Sequence, residues 1–193
     1  EAIKKMFDRL DELQEGDILV LAGSIPASMP ESMYRDIMKR LADRKLKIAV
    51  DATKSLLLNV LPFHPFVIKP NNHELGELFN VKIKSKDQAV EYAKKLQEMG
   101  AQNVIVSMAG EGAVFVGDDG SVFQSEAPKG TVVNSVGAGD SMVAGFLAGY
   151  LGEGDYKEAF KLGVCTGSAS AFSEQLATRE QVEAIRNTHH FQF

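Results

Sequence analysis

A carboxylate stands directly behind a glycine turn in "NSVGAGDSM": Gly137, Ala138 and Gly139 precede Asp140, and a small-residue apolar run follows to Leu151. Glycines let successive backbone N–H groups converge without interference from a Cβ. A helix opening at the same point adds the positive end of its dipole. The combination describes an anion hole suited to a transferring phosphoryl group. An acid beside a phosphate is repelled by it, and earns its place by orienting an attacking hydroxyl and accepting its proton. Asp140 is therefore a candidate general base, and the helix N-terminus favours its ionised form by roughly 0.3–1 kcal/mol. The plain alternative is a helix cap after a flexible turn, and Gly-Ala-Gly-Asp alone weighs the two equally. Two other glycine motifs fit less well. A dinucleotide fingerprint needs a third glycine where Met142 stands, which sets a dinucleotide-dependent oxidoreductase aside, and a Walker loop needs a lysine that is missing.

Such a turn has to be held by a scaffold, and the chain reads as alternating strands and helices. Ile3, Met6, Phe7, Leu10 and Leu13 recur at helical spacing, with Gly16 as the stop. Residues 17–23 read as an apolar strand buried on both faces. A helix over 31–45 carries Met33, Ile37, Met38 and Leu41 on one stripe, and strands follow over 46–52 and 65–71. Helices are expected over 72–79 and 85–100, with Ser85 as N-cap and Gly100 as stop, then a strand over 103–110. Residues 112–127 carry a hairpin signature around Asp118-Asp119-Gly120. Val132-Val133 reads as a short strand, and helices over roughly 155–173 and 178–188 close the pattern. The expected class is α/β, a three-layer α/β/α fold with a mostly parallel central sheet, forming a single domain over 1–193 with 189–193 as a tail. Ligands in such folds bind at the carboxyl ends of strands. That directs attention to Gly23-Ser24, Asp51, Lys69–Asn71, Ser107–Gly112 and Asn134–Asp140.

Bulk composition narrows the function. The net charge of −5, with acids spread along the chain, argues against a duplex nucleic-acid binder. A lone cysteine, Cys165, excludes an internal disulfide framework, and its apolar surroundings predict a buried structural thiol. No apolar run of about 18 residues is present, so the expectation is a cytoplasmic protein without a membrane partner. His73 reads as solvent-facing, and His189-His190 as exposed rather than metal-binding.

The string Asn134-Ser135-Val136-Gly137-Ala138-Gly139-Asp140, continued by Ala144-Gly145-Phe146-Leu147, resembles the C-terminal signature of the PfkB (ribokinase-like) sugar kinases. "KPNNHEL" (69–75) and "SMAGEGA" (107–113) are similar to two further family elements and follow in the family's order, while Ala109 replaces a glycine usual in the second. "GSIPASMP" (23–30) is similar to a turn of the hexose-phosphate branch. The resemblance spans residues 16–187. It implies a ribokinase-like fold whose N-terminal strands and β lid are absent from this chain, which begins inside a helical pattern. It implies Asp140 as catalytic base and the backbone of Gly137, Ala138 and Gly139 as anion hole. Lys69 would face ATP phosphates as a point charge, and Ser107, Met108, Ala109, Gly110, Glu111 and Gly112 would line the nucleotide. Asn71 and Glu74 would help hold Mg²⁺ through its waters. Singly, each has a bland alternative: Asn71 and Glu74 could form a capping box, and Lys69 a solvated strand end. Small residues Gly163, Gly167, Ser168 and Ala169 would pack near the adenine or simply against a neighbouring helix.

The activity implied is ATP-dependent phosphorylation of a ketohexose phosphate, fructose 1-phosphate to fructose 1,6-bisphosphate first, with tagatose 6-phosphate and fructose 6-phosphate kinases as alternatives. An inactive nucleotide-binding fragment is the alternative of another class. The implied partners are a sugar phosphate and ATP, and a homodimer of the intact protein formed through the lid. Two expectations attach to the absent portion: weak turnover by this chain alone, and exposed apolar surface where the missing strands would pair.

Overall fold

The computed structural model describes residues Glu1–Phe193. Six strands lie in sequence order in one sheet: β1 (Ile18–Ala22), β2 (Lys47–Asp51), β3 (Val67–Ile68), β4 (Asn103–Ser107), β5 (Ala113–Val116) and β6 (Val122–Ser125). The first four are parallel, and β4, β5 and β6 pair antiparallel. Adjacent parallel strands joined by right-handed crossovers place all their connections on one face. Helices α2 (Met33–Leu41), α3 (Lys54–Val60), α4 (Asn72–Phe79) and α5 (Lys86–Glu98) accordingly cover that face. The chain then turns through the β5–β6 hairpin and lays α6 (Ala138–Glu153) and α7 (Tyr156–Ala171) on the other face, with α8 (Arg179–Thr188) packed behind α7. The result is the expected three-layer α/β/α arrangement.

Strand alternation divides the core in two. Ile48, Val50, Val104, Val106, Val114 and Val116 point into a cluster of 23 buried residues beneath α2–α5. Their neighbours Ala49, Ile105, Ala113 and Phe115 point the other way, into a cluster of 12 with Phe146 and Phe160. Helices α6 and α7 approach so closely that a Cβ on Gly149 would lie 2.7 Å from Ala159 Cα. The small residues of α7 thus serve helix packing, although Gly167 and Ser168 also line the cleft described below. Cys165 is fully buried here, and burial pushes its thiol up to about 11. No helix is long and apolar enough to cross a membrane.

Five sequence expectations change. The first helix, α1 (Ala2–Leu10), ends before Gly16, and Asp11, clasped by Arg40 and Arg44, follows it. A seven-residue helix, α3, occupies a stretch with no assigned element. Val132 and Val133 form no strand: the sheet ends at β6, and Val133 N–H donates instead to Ala171 O at the end of α7. The segment 189–193 is packed down rather than trailing. His189 is half-buried with its ring 3.2 Å from Ser125 Oγ, Phe193 lies 5.0 Å from the Phe123 ring, and of the two histidines only His190 is exposed.

The fifth concerns β1. It is the open edge of the sheet, and Val20 is 46% exposed, so one of its faces is bare where a doubly buried strand was expected. An uncovered apolar edge is a template for pairing with another strand. Val20→Lys is expected to reduce self-association of this chain at high concentration, followed by sedimentation velocity. Association that persists unchanged would locate the contact elsewhere.

Candidate active site

The carboxyl ends of β2, β3 and β4 bring the candidate residues together. Beyond β3, Pro70 O accepts from Ser107 N–H at 3.2 Å, and Asn71 pairs with Ser107 across an isolated parallel bridge. This bridge joins the Lys69–Glu74 segment to the Ser107–Gly112 loop, two stretches far apart in sequence.

Asn71 caps α4. Its Oδ1 accepts from the N–H groups of His73 and Glu74, both at 2.9 Å, while Glu74 Oε2 accepts from the Asn71 N–H at 2.8 Å. The capping box anticipated as the bland alternative is therefore present. It does not exhaust Glu74, whose second carboxylate oxygen makes no hydrogen bond within the protein. His73 is exposed, as expected.

The nucleotide-loop candidates form a tight turn. Met108 N–H donates to Gly112 O at 2.8 Å, and Gly112 N–H to Ala109 O at 3.0 Å. Ala109 adopts φ 49°, a left-handed conformation that strains a residue with a Cβ by about 1–2 kcal/mol. The turn thus keeps a glycine-like geometry even where alanine stands.

Gly137 is the N-cap of α6, with φ 79° and ψ −3°, a left-handed conformation that glycine adopts freely. Ala138 N–H turns back to Ser135 O at 3.2 Å. The N–H groups of Gly139 and Asp140 are first-turn donors with no acceptor in the helix, and Gly137 N–H likewise has no backbone acceptor, so of the three expected donors Gly137, Ala138 and Gly139 only Ala138 is already engaged. Asp140 is exposed beside them. The turn is held from behind: Asn134 Nδ2 donates to Glu174 O at 3.2 Å, and Asn134 Oδ1 accepts from Val136 N–H at 3.0 Å.

One cleft of about 1650 Å³ runs between these pieces. Asn71, all six residues Ser107–Gly112, Ala138 and Gly139 line it, and Lys82, Lys84 and Phe172 stand on its walls. Those last three were not identified from the sequence, where two alternating lysines in a loop and one aromatic residue past a helix carry no recognisable signal. Glu74, Lys69 and Asp140 lie outside the lining proper.

Lys69 is 7% exposed, and its side chain is an inward one, not the solvated strand end of the bland alternative. Its ammonium lies 3.4 Å from Asp51 Oδ2. Burial pushes the Asp51 carboxyl above its ordinary range, the nearby charges of Asp140 and Glu74 push the same way, and Lys69 counteracts them. The sequence marked Asp51 only as a strand end. Its pairing with Lys69 depends on the parallel alignment of β2 and β3.

Mg²⁺ keeps several waters and takes one or two carboxylates besides phosphate oxygens. The free oxygen of Glu74 fits such water-mediated contact. Asn71, with its oxygen committed to two N–H groups, fits the role of orienting Glu74 more than that of a ligand.

Residues 1–182 match the family described as pfkB family carbohydrate kinase. The chain is 49% identical over 185 residues to the 1-phosphofructokinase of Bacillus subtilis (strain 168), covering 96% of this chain and 61% of that one. It is 32% identical over 174 residues to the D-tagatose-1-phosphate kinase of Bacillus licheniformis, covering 90% and 57%. Among solved structures, phosphofructokinase-2 from Escherichia coli in complex with substrates and products superposes with a TM-score of 0.88 at 26% identity, covering 96% and 61%. The chain thus spans about three fifths of the length of these relatives. With the glycine turn, the capped Asn-x-x-Glu segment and the Ser107–Gly112 turn all on one cleft, this chain belongs to the pfkB family of carbohydrate kinases.

Proposed function

We propose that this chain carries the nucleotide-binding and catalytic part of an ATP-dependent kinase acting on a ketohexose 1-phosphate, fructose 1-phosphate first. The observation that carries the reading is Asp140 beside the open N–H groups at the start of α6, next to the cleft formed with the Ser107–Gly112 loop. The sugar hydroxyl attacks the γ-phosphorus of ATP, its oxygen forming the new P–O bond as the bond to the bridging oxygen of ADP breaks. Asp140 orients that hydroxyl and accepts its proton, late in a loose transition state. The Gly139 and Asp140 N–H groups and the Lys69 ammonium meet charge on the equatorial oxygens. Mg²⁺ brought with ATP would neutralise charge on the β- and γ-phosphates. Glu74 would hold it through water, with Asn71 fixing Glu74.

The relatives' names bear on the substrate. Both 1-phosphofructokinase and D-tagatose-1-phosphate kinase act, by name, on sugars phosphorylated at C1. A phosphate at C1 leaves the C6 hydroxyl as acceptor. Tagatose 1-phosphate is therefore the second reading, ahead of tagatose 6-phosphate. The fructose 6-phosphate alternative draws on a more distant likeness, to phosphofructokinase-2 from Escherichia coli in complex with fructose-6-phosphate, at 26% identity. The test is ADP release by the full-length protein with fructose 1-phosphate, tagatose 1-phosphate and fructose 6-phosphate. We expect kcat/KM to be highest with fructose 1-phosphate, by about tenfold or more. A preference for fructose 6-phosphate would overturn the substrate assignment. ATP binding without turnover on any sugar phosphate would favour a nucleotide-binding module.

A further inference from the structure

We propose that Asp51 is a positioning residue for Lys69, holding its ammonium beneath the Gly139 turn and so fixing where the transferred phosphoryl group meets that charge. The inference rests on the phosphoryl-transfer reading above. Asp51 ends β2 and Lys69 immediately follows β3, its parallel neighbour. Both side chains leave the same end of the sheet and meet with Nζ 3.4 Å from Oδ2. Their side chains are 7% exposed for Lys69 and 19% for Asp51, which leaves little water to compensate either charge.

The Lys69 ammonium also lies against the anion hole. A Cβ built on Gly139 would stand 3.0 Å from Nζ and 3.3 Å from Cε, so the lysine packs directly on the turn whose N–H groups face the anion. Lysine has a long flexible stem and a single point charge. On its own it does not define a position to the fraction of an ångström that phosphoryl transfer needs. Asp51 is its one ion-pair partner. The other two acids nearby are used differently, since Glu74 accepts from the Asn71 N–H and Asp140 is exposed at the helix start. The Asp51 backbone is itself anchored, its carbonyl accepting from Gly23 N–H at 3.1 Å, and the Tyr34 hydroxyl ties down the adjoining end of β1 through Ala22 O at 2.7 Å. The pair thus links a rigid sheet end to the catalytic turn. Arriving phosphate shares the ammonium with Asp51 and does not have to capture a mobile side chain.

The test is a double-mutant cycle in the full-length protein, with steady-state kinetics on fructose 1-phosphate and ATP. Asp51→Asn is expected to lower kcat about 10- to 100-fold while KM for ATP moves less than about threefold. Lys69→Met should lower kcat at least as much. If Asp51 acts through Lys69, the double variant has the kcat of Lys69→Met alone. Wild-type kcat in Asp51→Asn, or a double variant that loses the product of the two single effects, overturns the proposal. Should Asp51→Asn fail to fold because it strands a buried ammonium, Lys69→Met and the double variant still decide. Equal kcat supports the positioning role, and a further loss in the double variant refutes it. Asp140→Asn separates the premise from the inference, because full turnover in that variant would remove the phosphoryl-transfer reading whatever Asp51 does.

Discussion

Asp140→Asn in the full-length protein is expected to lower kcat by about 10²–10⁴-fold, the range for removing a positioned general base. At the middle of that range the loss corresponds to about 4 kcal/mol of transition-state stabilisation. The substitution keeps the shape of the side chain and removes only its ability to take up a proton. The open N–H groups of Gly139 and Asp140 belong to the backbone and stay in place, so the anion hole survives. Nucleotide affinity should hold or tighten slightly, because a negative charge beside the triphosphate is gone. Steady-state ADP release paired with calorimetric titration of ATP reads both quantities. A kcat within about twofold of wild type would take Asp140 out of the chemistry and leave it as an acid in the first turn of α6. A parallel collapse of ATP binding would mean that the carboxylate's main task is structural.

The second large effect concerns stability and has an internal control. Gly112 sits at φ 93° and ψ −134°, a region essentially reserved for glycine. A Cβ there would lie 1.9 Å from Ser125 O, 2.7 Å from Glu126 C and 2.9 Å from Ala127 N. All three are backbone atoms, so no side chain can swing aside. Gly112→Ala is therefore expected to destabilise the protein by about 3 kcal/mol or more. For a chain of this size that lowers Tm by roughly 6–12 °C. It should also weaken nucleotide binding, since the Met108–Gly112 hydrogen bond shapes the loop that lines the cleft. Two residues away, Gly110 has open space around its Cβ position and needs no positive φ, so Gly110→Ala should leave Tm within about 1–2 °C. Differential scanning calorimetry on the two variants distinguishes them. Equal Tm values would show that the loop does not lie against residues 125–127.

Much of the site was legible because its signals are local. Helix α4 begins and ends where the sequence placed it, and Asn71 and Glu74 cap it as an i, i+3 pair can. Ser85 caps α5 by accepting from Gln88 N–H at 3.2 Å. The β5–β6 hairpin folds about Asp118-Asp119-Gly120. In each case the deciding hydrogen bonds span a few residues, so neighbouring residue types settle the conformation. The glycine turn before Asp140 belongs to the same class, although which of its N–H groups stay unpaired depends on the folded turn.

Other features depend on pairing across the fold. Val132-Val133 has the β-branched composition of a strand, yet a strand needs a partner, and the sheet had already closed at β6. Residues 17–23 look like a central strand, and only the strand order reveals β1 as an edge with Val20 bare. Asp51 and Lys69 are each unremarkable in sequence. Parallel register brings them to one sheet end, and burial turns their proximity into an ion pair under Gly139. The sequence by itself determined the alternating α/β class, the caps, the hairpin and the identity of the catalytic candidates, because short-range hydrogen bonding and hydrophobic periodicity encode them. Tertiary structure alone decided which strand is exposed, where the final aromatic residues dock and which acid holds the buried lysine. Those outcomes come from strand pairing and burial between segments that no local pattern relates.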